Sequence, residues 1–130
     1  MTDNKKVAEK FWDAMNNRDW EKLATLVTPD FQHDNDVDYF YGREEVIQLF
    51  EDFMVEEVNY HQKIDRVTAE GDIVISEATW TGNHIMDMWG FPASGKSFAV
   101  PVVYVMEFDG GLVKRLRSVY RDKKLELEVT

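Results

Sequence analysis

Hydrophobic residues in the first part of the chain recur every three or four positions, the spacing of a helix with one buried face. Asp3 can cap a first helix, and Asp19 a shorter second one. The second helix is predicted to stop at Thr28-Pro29, because the residue before a proline avoids the helical conformation. A third helix is predicted to open at Gly42. The apolar positions that define the three helices are Val7, Phe11 and Met15, then Trp20, Leu23 and Leu26, then Val46, Leu49, Phe50 and Phe53.

From Tyr60 onward the apolar residues alternate with polar ones, which is the period of β-strands. The pattern predicts strands over residues 60–68, 73–83, 96–108 and 112–121. A shorter strand is predicted from Asp30 to Asn35, followed by an acidic, aromatic loop over residues 36–41. Helices that precede a set of antiparallel strands are typical of an α+β fold with the helices on one side of the sheet. Residues 1–130 are therefore predicted to form a single domain.

The strand over residues 96–108 would span about 40 Å, so it is expected to curl or bulge. A curled sheet closed by helices encloses a cone. The other face of this strand is apolar as well, at Ala99, Pro101, Val103 and Val105. Because no helix is left to cover that face, a second copy of the chain is the expected cover, and a homodimer is predicted.

The last hairpin decides which side chains enter the cone. A three-residue loop at 109–111 would pair Tyr104 with Leu116 and continue the inward line through Tyr120 to Asp122. A two-residue loop would turn Arg115 and Arg117 inward, and buried charges are costly. The three-residue register is therefore favoured.

Composition excludes several classes of function. The net charge of −10 disfavours binding to nucleic acid, and the absence of cysteine excludes disulfides and thiolate chemistry. No run approaches the roughly 20 apolar residues that span a bilayer, and the N-terminus lacks the apolar core of a signal peptide. The chain is expected to be soluble and cytoplasmic, without membrane contact. Its three histidines lack metal-ligand spacing and no phosphate or dinucleotide motif is present, so neither a metal nor a cofactor is expected.

The most distinctive motif lies at residues 79–96, where Thr-Trp-Thr-Gly-x-His precedes Gly-Phe-Pro-x-Ser-Gly-Lys. This spacing resembles the SnoaL-like, or polyketide-cyclase-like, branch of the nuclear-transport-factor-2-like superfamily, which is also similar to ketosteroid isomerases and limonene-epoxide hydrolases. The resemblance extends from Phe11 to about Asp122. It implies a cone-shaped curved sheet, antiparallel or mixed, with three helices on its concave face. It also implies a cofactor-free enzyme that binds a small hydrophobic carbonyl compound and moves protons in an aldol-type cyclisation or an isomerisation.

Asp122 and His84 are the candidate catalytic residues. The resemblance implies a general acid/base role for Asp122, since a carboxyl group in an apolar cone has a raised pKa. The alternative is an exposed aspartate before the Lys123-Lys124 tail. His84 shares its strand parity with Trp80 and is expected to reach the pocket and pair with Asp87, with a structural loop histidine as the alternative.

Six further residues are candidates for substrate binding. In the isomerases a catalytic carboxylate lies near the position of Asn35, and because an amide cannot act as that base, Asn35 is expected to orient a carbonyl or a water. The other candidates are His33 on the same face, the phenols Tyr104 and Tyr120, and the indoles Trp80 and Trp89. Aromatic residues build cores as well as pockets, so the sequence leaves both interpretations open.

Two other functions stay open. One is a non-catalytic ligand-binding or dimerisation module of the same fold. The other is an epoxide hydrolase, which in the related enzymes uses an Asp-Arg-Asp set around a water. That set is not assembled on the favoured register, because Arg115 and Arg117 point outward.

Overall fold

A computed structural model describes residues 3–35, 38–87 and 92–120 of the chain. Three helices pack on a curved sheet of six strands, which confirms the predicted α+β class. The helices are α1 (Asn4–Asn16), α2 (Trp20–Ala24) and α3 (Arg43–Phe53), and a 3₁₀ turn covers Glu56–Val58. The strands are β1 (Val27–Asp34), β2 (Tyr39–Tyr41), β3 (His61–Glu70), β4 (Ile73–Asn83), β5 (Ser97–Asp109) and β6 (Leu112–Val119). Their order is β2-β1-β6-β5-β4-β3, and β1 runs parallel to β6 while the other neighbours are antiparallel.

The helix starts are as predicted, but the end of α2 is not. The carboxylates of Asp3 and Asp19 accept hydrogen bonds from the first turns of α1 and α2. The prediction that α2 runs to Thr28 is wrong, because Val27 already pairs with Val113 of β6. In that pairing the backbone of Val27 joins the sheet and so cannot continue the helix. Pro29 falls where the β1–β6 register shifts, a position where a residue without an N–H is tolerated.

The predicted loop over residues 36–41 contains a strand. Residues 36 and 37 lie outside the description, and Tyr39–Tyr41 pairs antiparallel with β1. Three consecutive aromatic residues suit a strand, and this one forms an edge of the sheet. Phe40 stacks on the imidazole of His33, with ring centroids 6.3 Å apart. The short strand therefore covers one side of His33.

The predicted register of the last hairpin is wrong. Asp109 pairs with Leu112 across a two-residue loop, in which Gly110 and Gly111 have positive φ. A bulge follows, since Phe108 pairs with Val113 and Glu107 with Arg115. The extra residue reverses the alternation, so that Leu116 and Ser118 point inward and Arg115 points outward. A two-residue loop without a bulge would bury Arg115 and Arg117. The bulge turns both side chains outward again and so avoids that cost.

The core lies between the helices and the concave face of the sheet. Its fully buried large side chains include Phe11, Trp12, Leu23, Phe31, Val46, Met106 and Leu116. The indole N–H of Trp12 donates to the buried hydroxyl of Ser76, 3.2 Å away. This bond ties α1 to β4. In the described ranges no helix has the length and apolar character that a membrane span requires.

An ion cluster ties three strands together on the outer face. The Arg115 guanidinium donates to Asp34 on β1, with Nη2–Oδ2 at 2.7 Å and Nε–Oδ2 at 3.0 Å, and to Glu107 on β5 at 3.2 Å. The hydrogen bond to Asp34 is the main cause of a raised pKa for Arg115. The same face is apolar further along, where Ile75, Val103 and Val119 are 38%, 37% and 42% exposed.

Candidate active site

A cavity of about 210 Å³ lies on the concave side of the sheet, beneath α1 and α3. Eight of the 18 described residues that line it are aromatic, namely Trp12, Phe40, Phe50, Phe53, Tyr60, Trp80, Tyr104 and Tyr120. Its polar lining residues are His33, Asn35, Asp38, Gln62, Asp87 and Ser118. An apolar wall with a few polar groups is typical of a small-molecule site.

Five of the six predicted binding residues line this cavity: His33, Asn35, Trp80, Tyr104 and Tyr120. The sixth, Trp89, lies outside the described residues, as does the predicted catalytic residue Asp122. The sheet explains how His33 and Tyr104 meet at one site. His33 lies beside Leu116 and Tyr104 beside Ser118, on opposite sides of β6. Strand spacing separates the backbones of β1 and β5 by about 10 Å, which leaves room for a small ligand between the two side chains.

His33 is a buried imidazole that is held in one tautomer. Its side chain is buried, with 8% exposure, and its Nδ1 lies 3.2 Å from the carbonyl oxygen of Leu116. A carbonyl only accepts, so Nδ1 carries the hydrogen and Nε2 keeps its lone pair. Burial lowers the pKa of His33, against smaller opposing effects of the Leu116 carbonyl and Asp34. The imidazole is therefore neutral at pH 7, and no hydrogen bond joins Nε2 to another described group.

The tyrosines of the cavity are protonated donors. Burial raises the pKa of Tyr104 well above its ordinary value, the nearby Tyr120 adds to the rise, and a hydrogen bond with the Gln62 side chain lowers it. Burial also raises the pKa of Tyr60 to about 12. A phenol that keeps its proton can donate to an oxygen that gains charge during a reaction. Trp12 packs against Tyr104, with ring centroids 4.5 Å apart, and holds it in place.

Gln62 is a cavity residue that the sequence analysis missed. It lies on β3 opposite Trp80, and its side chain enters the cavity beside Tyr104. Its Oε1 is buried without a hydrogen-bond partner among the described residues. The sequence did contain a signal for Gln62: it follows Tyr60 by two residues in a predicted strand, which places the two side chains on the same face of the sheet.

His84 does not behave as predicted. Its side chain is buried but does not line the cavity. The predicted pair with Asp87 is wrong, because Nδ1 of His84 lies 3.0 Å from the hydroxyl of Ser94. The Asp87 carboxylate instead accepts the backbone N–H of Ala93 at 2.9 Å. Both contacts hold the chain that leads into β5, so His84 and Asp87 shape the loop after β4.

The charged groups at the cavity are carboxylates. Asp38 and Asp87 are both exposed and lie at its rim. Within the three described ranges no His, Asp or Glu side chains form a group of three that could hold a metal ion.

Comparisons with known proteins give one family and one fold. The family model for the SnoaL-like domain matches residues 8–116. No curated protein sequence matches the chain at a significant level. A candidate polyketide cyclase from Xanthomonas campestris superposes with a TM-score of 0.80 at 21% identity, over 98% of this chain and 100% of that one.

Two further solved structures have the same fold. A candidate SnoaL-like polyketide cyclase from Jannaschia has a TM-score of 0.77 at 24% identity, over 89% of this chain and 83% of its own. An epoxide hydrolase from Mycobacterium tuberculosis that resembles limonene-epoxide hydrolase has a TM-score of 0.77 at 21% identity, over 96% of this chain and 86% of its own. At these identities the likeness shows the fold alone.

Proposed function

Because the chain belongs to the SnoaL-like domain family, we propose that it is a cofactor-free enzyme that binds a small hydrophobic carbonyl compound and moves protons on it. The reaction class would be an aldol-type cyclisation or an isomerisation. Fold neighbours described as polyketide cyclases support this class. The observation that carries the proposal is His33, a buried neutral imidazole whose Nε2 keeps its lone pair beside an aromatic cavity.

In the proposed reaction, Nε2 of His33 takes a proton from the carbon next to the substrate carbonyl. The C–H electron pair forms a carbon–carbon double bond as the carbonyl becomes an enolate, and the enolate oxygen accepts a hydrogen bond from the hydroxyl of Tyr120. In an isomerisation, Nε2 returns the proton to a different carbon. In a cyclisation, the enolate carbon attacks a second carbonyl, and the resulting alkoxide takes the proton. The predicted acid/base role of Asp122 stays a prediction.

Deuterium exchange at a ketone tests this proposal. The probe is 2-tetralone, a small hydrophobic ketone, incubated with the full chain in D₂O and followed by ¹H NMR. The wild type is expected to accelerate the loss of α-protons in a saturable way. His33→Leu is expected to lower the enzyme-catalysed rate by about 100-fold, since general base catalysis contributes at least that much. His61→Leu, at an exposed histidine of β3, is the matched control and should exchange like the wild type.

Two results would contradict the proposal. Equal exchange in the wild type and in His33→Leu would remove His33 from the reaction. Saturable binding of 2-tetralone without any acceleration would favour the alternative, a non-catalytic ligand-binding module. Epoxide hydrolysis is disfavoured by the position of Arg115, which pairs with Asp34 and Glu107 on the outer face. None of the described residues that line the cavity is an arginine.

The outer face supports the proposal of a homodimer. The exposed apolar side chains of Ile75, Val103 and Val119 lie on neighbouring strands, where Val103 pairs directly with Val119 and Ile75 with Val105. An apolar area shared by three adjacent strands is typical of a surface that another subunit covers. In a two-fold dimer the same patch would serve both copies.

A further inference from the structure

The side-chain oxygen of Gln62 is a buried hydrogen-bond acceptor. Its Oε1 is enclosed, lies at the cavity, and has no hydrogen-bond partner among the described residues. Leaving a buried polar atom unpaired costs free energy, so native proteins rarely contain one without a reason. The common reasons are a water or a ligand at that position.

The backbone of Gln62 is fixed on both sides, so the side chain is held toward the cavity. The side-chain amide of Asn16, at the end of α1, donates to the backbone carbonyl oxygen of Gln62 at 2.9 Å. The oxygen of the same amide accepts the backbone N–H of Gln62 at 2.8 Å. Gln62 lies on β3, an edge of the sheet, where such a pair of bonds replaces a missing strand. The unpaired oxygen is therefore not the result of a loosely held residue.

The neighbours of Gln62 decide what the unpaired oxygen requires. Its amide lies beside the hydroxyl of Tyr104, which in turn lies beside that of Tyr120. When the Tyr104 hydroxyl donates to Tyr120, the Tyr104 oxygen accepts a hydrogen bond from the side-chain N–H of Gln62. The Oε1 atom of Gln62 then takes part in neither bond. Oε1 therefore requires a hydrogen-bond donor, and a donor group of the ligand can supply it.

We propose that Gln62 determines substrate specificity by accepting a hydrogen bond from a hydroxyl group of the ligand, so that the carbonyl compound bound here is a hydroxylated one. This inference rests on the proposed function, because it concerns the same cavity. The hydrogen bond to Gln62 would be a second polar contact of the ligand, besides the one at its carbonyl. The carbonyl end would lie between His33 and the phenols, and a hydroxyl elsewhere on the ring system would reach Gln62.

Matched ligands test the role of Gln62. The probes are the four 2-tetralones that carry a hydroxyl at ring position 5, 6, 7 or 8, and their four methoxy counterparts, which cannot donate. Binding to the full chain is measured by isothermal titration calorimetry. At one position or more, the wild type is expected to bind the hydroxy compound about tenfold more tightly than the methoxy compound, the effect of one buried hydrogen bond. Gln62→Leu should abolish this preference, and Gln48→Leu, at an exposed glutamine of α3, should keep it.

The binding results separate this inference from the proposed function. Equal affinity for every hydroxy and methoxy pair in the wild type would overturn the role of Gln62, because a water would then satisfy Oε1. A preference that survives in Gln62→Leu would overturn it too. In both cases, exchange of unsubstituted 2-tetralone by the wild type would leave the proposed function intact. Failure of every tetralone to bind would overturn both proposals.

Discussion

Asp34 and His33 are neighbours on β1, but the protein satisfies their polar atoms to very different degrees. Asp34 faces outward, and one of its carboxylate oxygens accepts two hydrogen bonds from Arg115, which also reaches Glu107. His33 faces the cavity, where one ring nitrogen meets the Leu116 carbonyl and the other has no described partner. The outer network joins the strands β1, β5 and β6. At the cavity, the His33 ring is held by one nitrogen, and its other nitrogen is left without a hydrogen-bond partner among the described residues.

The largest effect on stability is expected on the outer side. Asp34→Asn replaces a buried ionic partner of Arg115 with a neutral amide, and should lower the free energy of unfolding by about 1–2 kcal/mol. Exchange of 2-tetralone α-protons should stay within about twofold of the wild type, because Asp34 does not line the cavity. Urea denaturation at pH 7 measures the first quantity and NMR the second.

The matched control for that substitution is Asp65→Asn. Asp65 is exposed and lies 3.9 Å from Lys63, so its loss should change the free energy of unfolding by about 0.5 kcal/mol or less. Equal losses in the two variants would mean that the Arg115 cluster adds nothing beyond an ordinary surface pair.

The next effect is the dependence of stability on pH. The pKa of His33 is near 6.5 in the unfolded chain, and burial lowers it in the fold. Above pH 6.5 both states are neutral, so stability is fully present. As the pH falls below 6.5, the unfolded chain binds a proton that the folded chain does not, and the free energy of unfolding decreases by at most about 1.4 kcal/mol per pH unit.

Urea denaturation between pH 7.5 and pH 5 checks this sign. The wild type should lose stability over that range, and His33→Leu should lose clearly less. The effect of His33 is separated from those of Asp30 and Glu77, because their carboxyl pKa values are lowered from ordinary values of 3.8 and 4.5 and change the stability mainly below about pH 4.5. A wild type that gains stability on acidification would contradict the account of His33.

The smallest effect on the site is expected from the apolar part of the outer face. Val103→Lys puts a charge on the proposed dimer surface, so it should turn a dimer into a monomer in sedimentation experiments and leave the cavity unchanged. Lys63→Glu, an exposed change on β3, is the control. A wild type that sediments as a monomer at millimolar concentration would contradict the homodimer.

Local signals predicted much of the fold. The caps at Asp3 and Asp19 and the alternation of residues 73–83 place α1, the start of α2 and β4 correctly. The bulge at Lys114 of β6 escaped prediction, because one extra residue leaves no mark in the alternation and is favoured only by the cost of burying arginine. The early start of β1 depends on its pairing with the distant β6.

The site was predicted less completely than the fold. Strand parity places His33, Trp80, Tyr104 and Tyr120 on the inner face, and they line the cavity. The predicted partner of His84 was wrong, because Ser94, ten residues later in the chain, lies beside its ring, a contact that the alternation of side chains along a strand does not predict. The unpaired oxygen of Gln62 depends on contacts from Asn16 and Tyr104, which are far away in the sequence.

The central claim is that His33 is a neutral base held by the Leu116 carbonyl. Its most direct test is the ¹⁵N NMR spectrum of the full chain labelled at histidine, recorded from pH 5 to pH 8, with His33→Leu used to assign the signals. The account predicts that at pH 7 the imidazole of His33 is neutral, with the hydrogen on Nδ1 and none on Nε2, and that it becomes protonated only below pH 6.5. A hydrogen on Nε2, or a doubly protonated ring at pH 7, would contradict it.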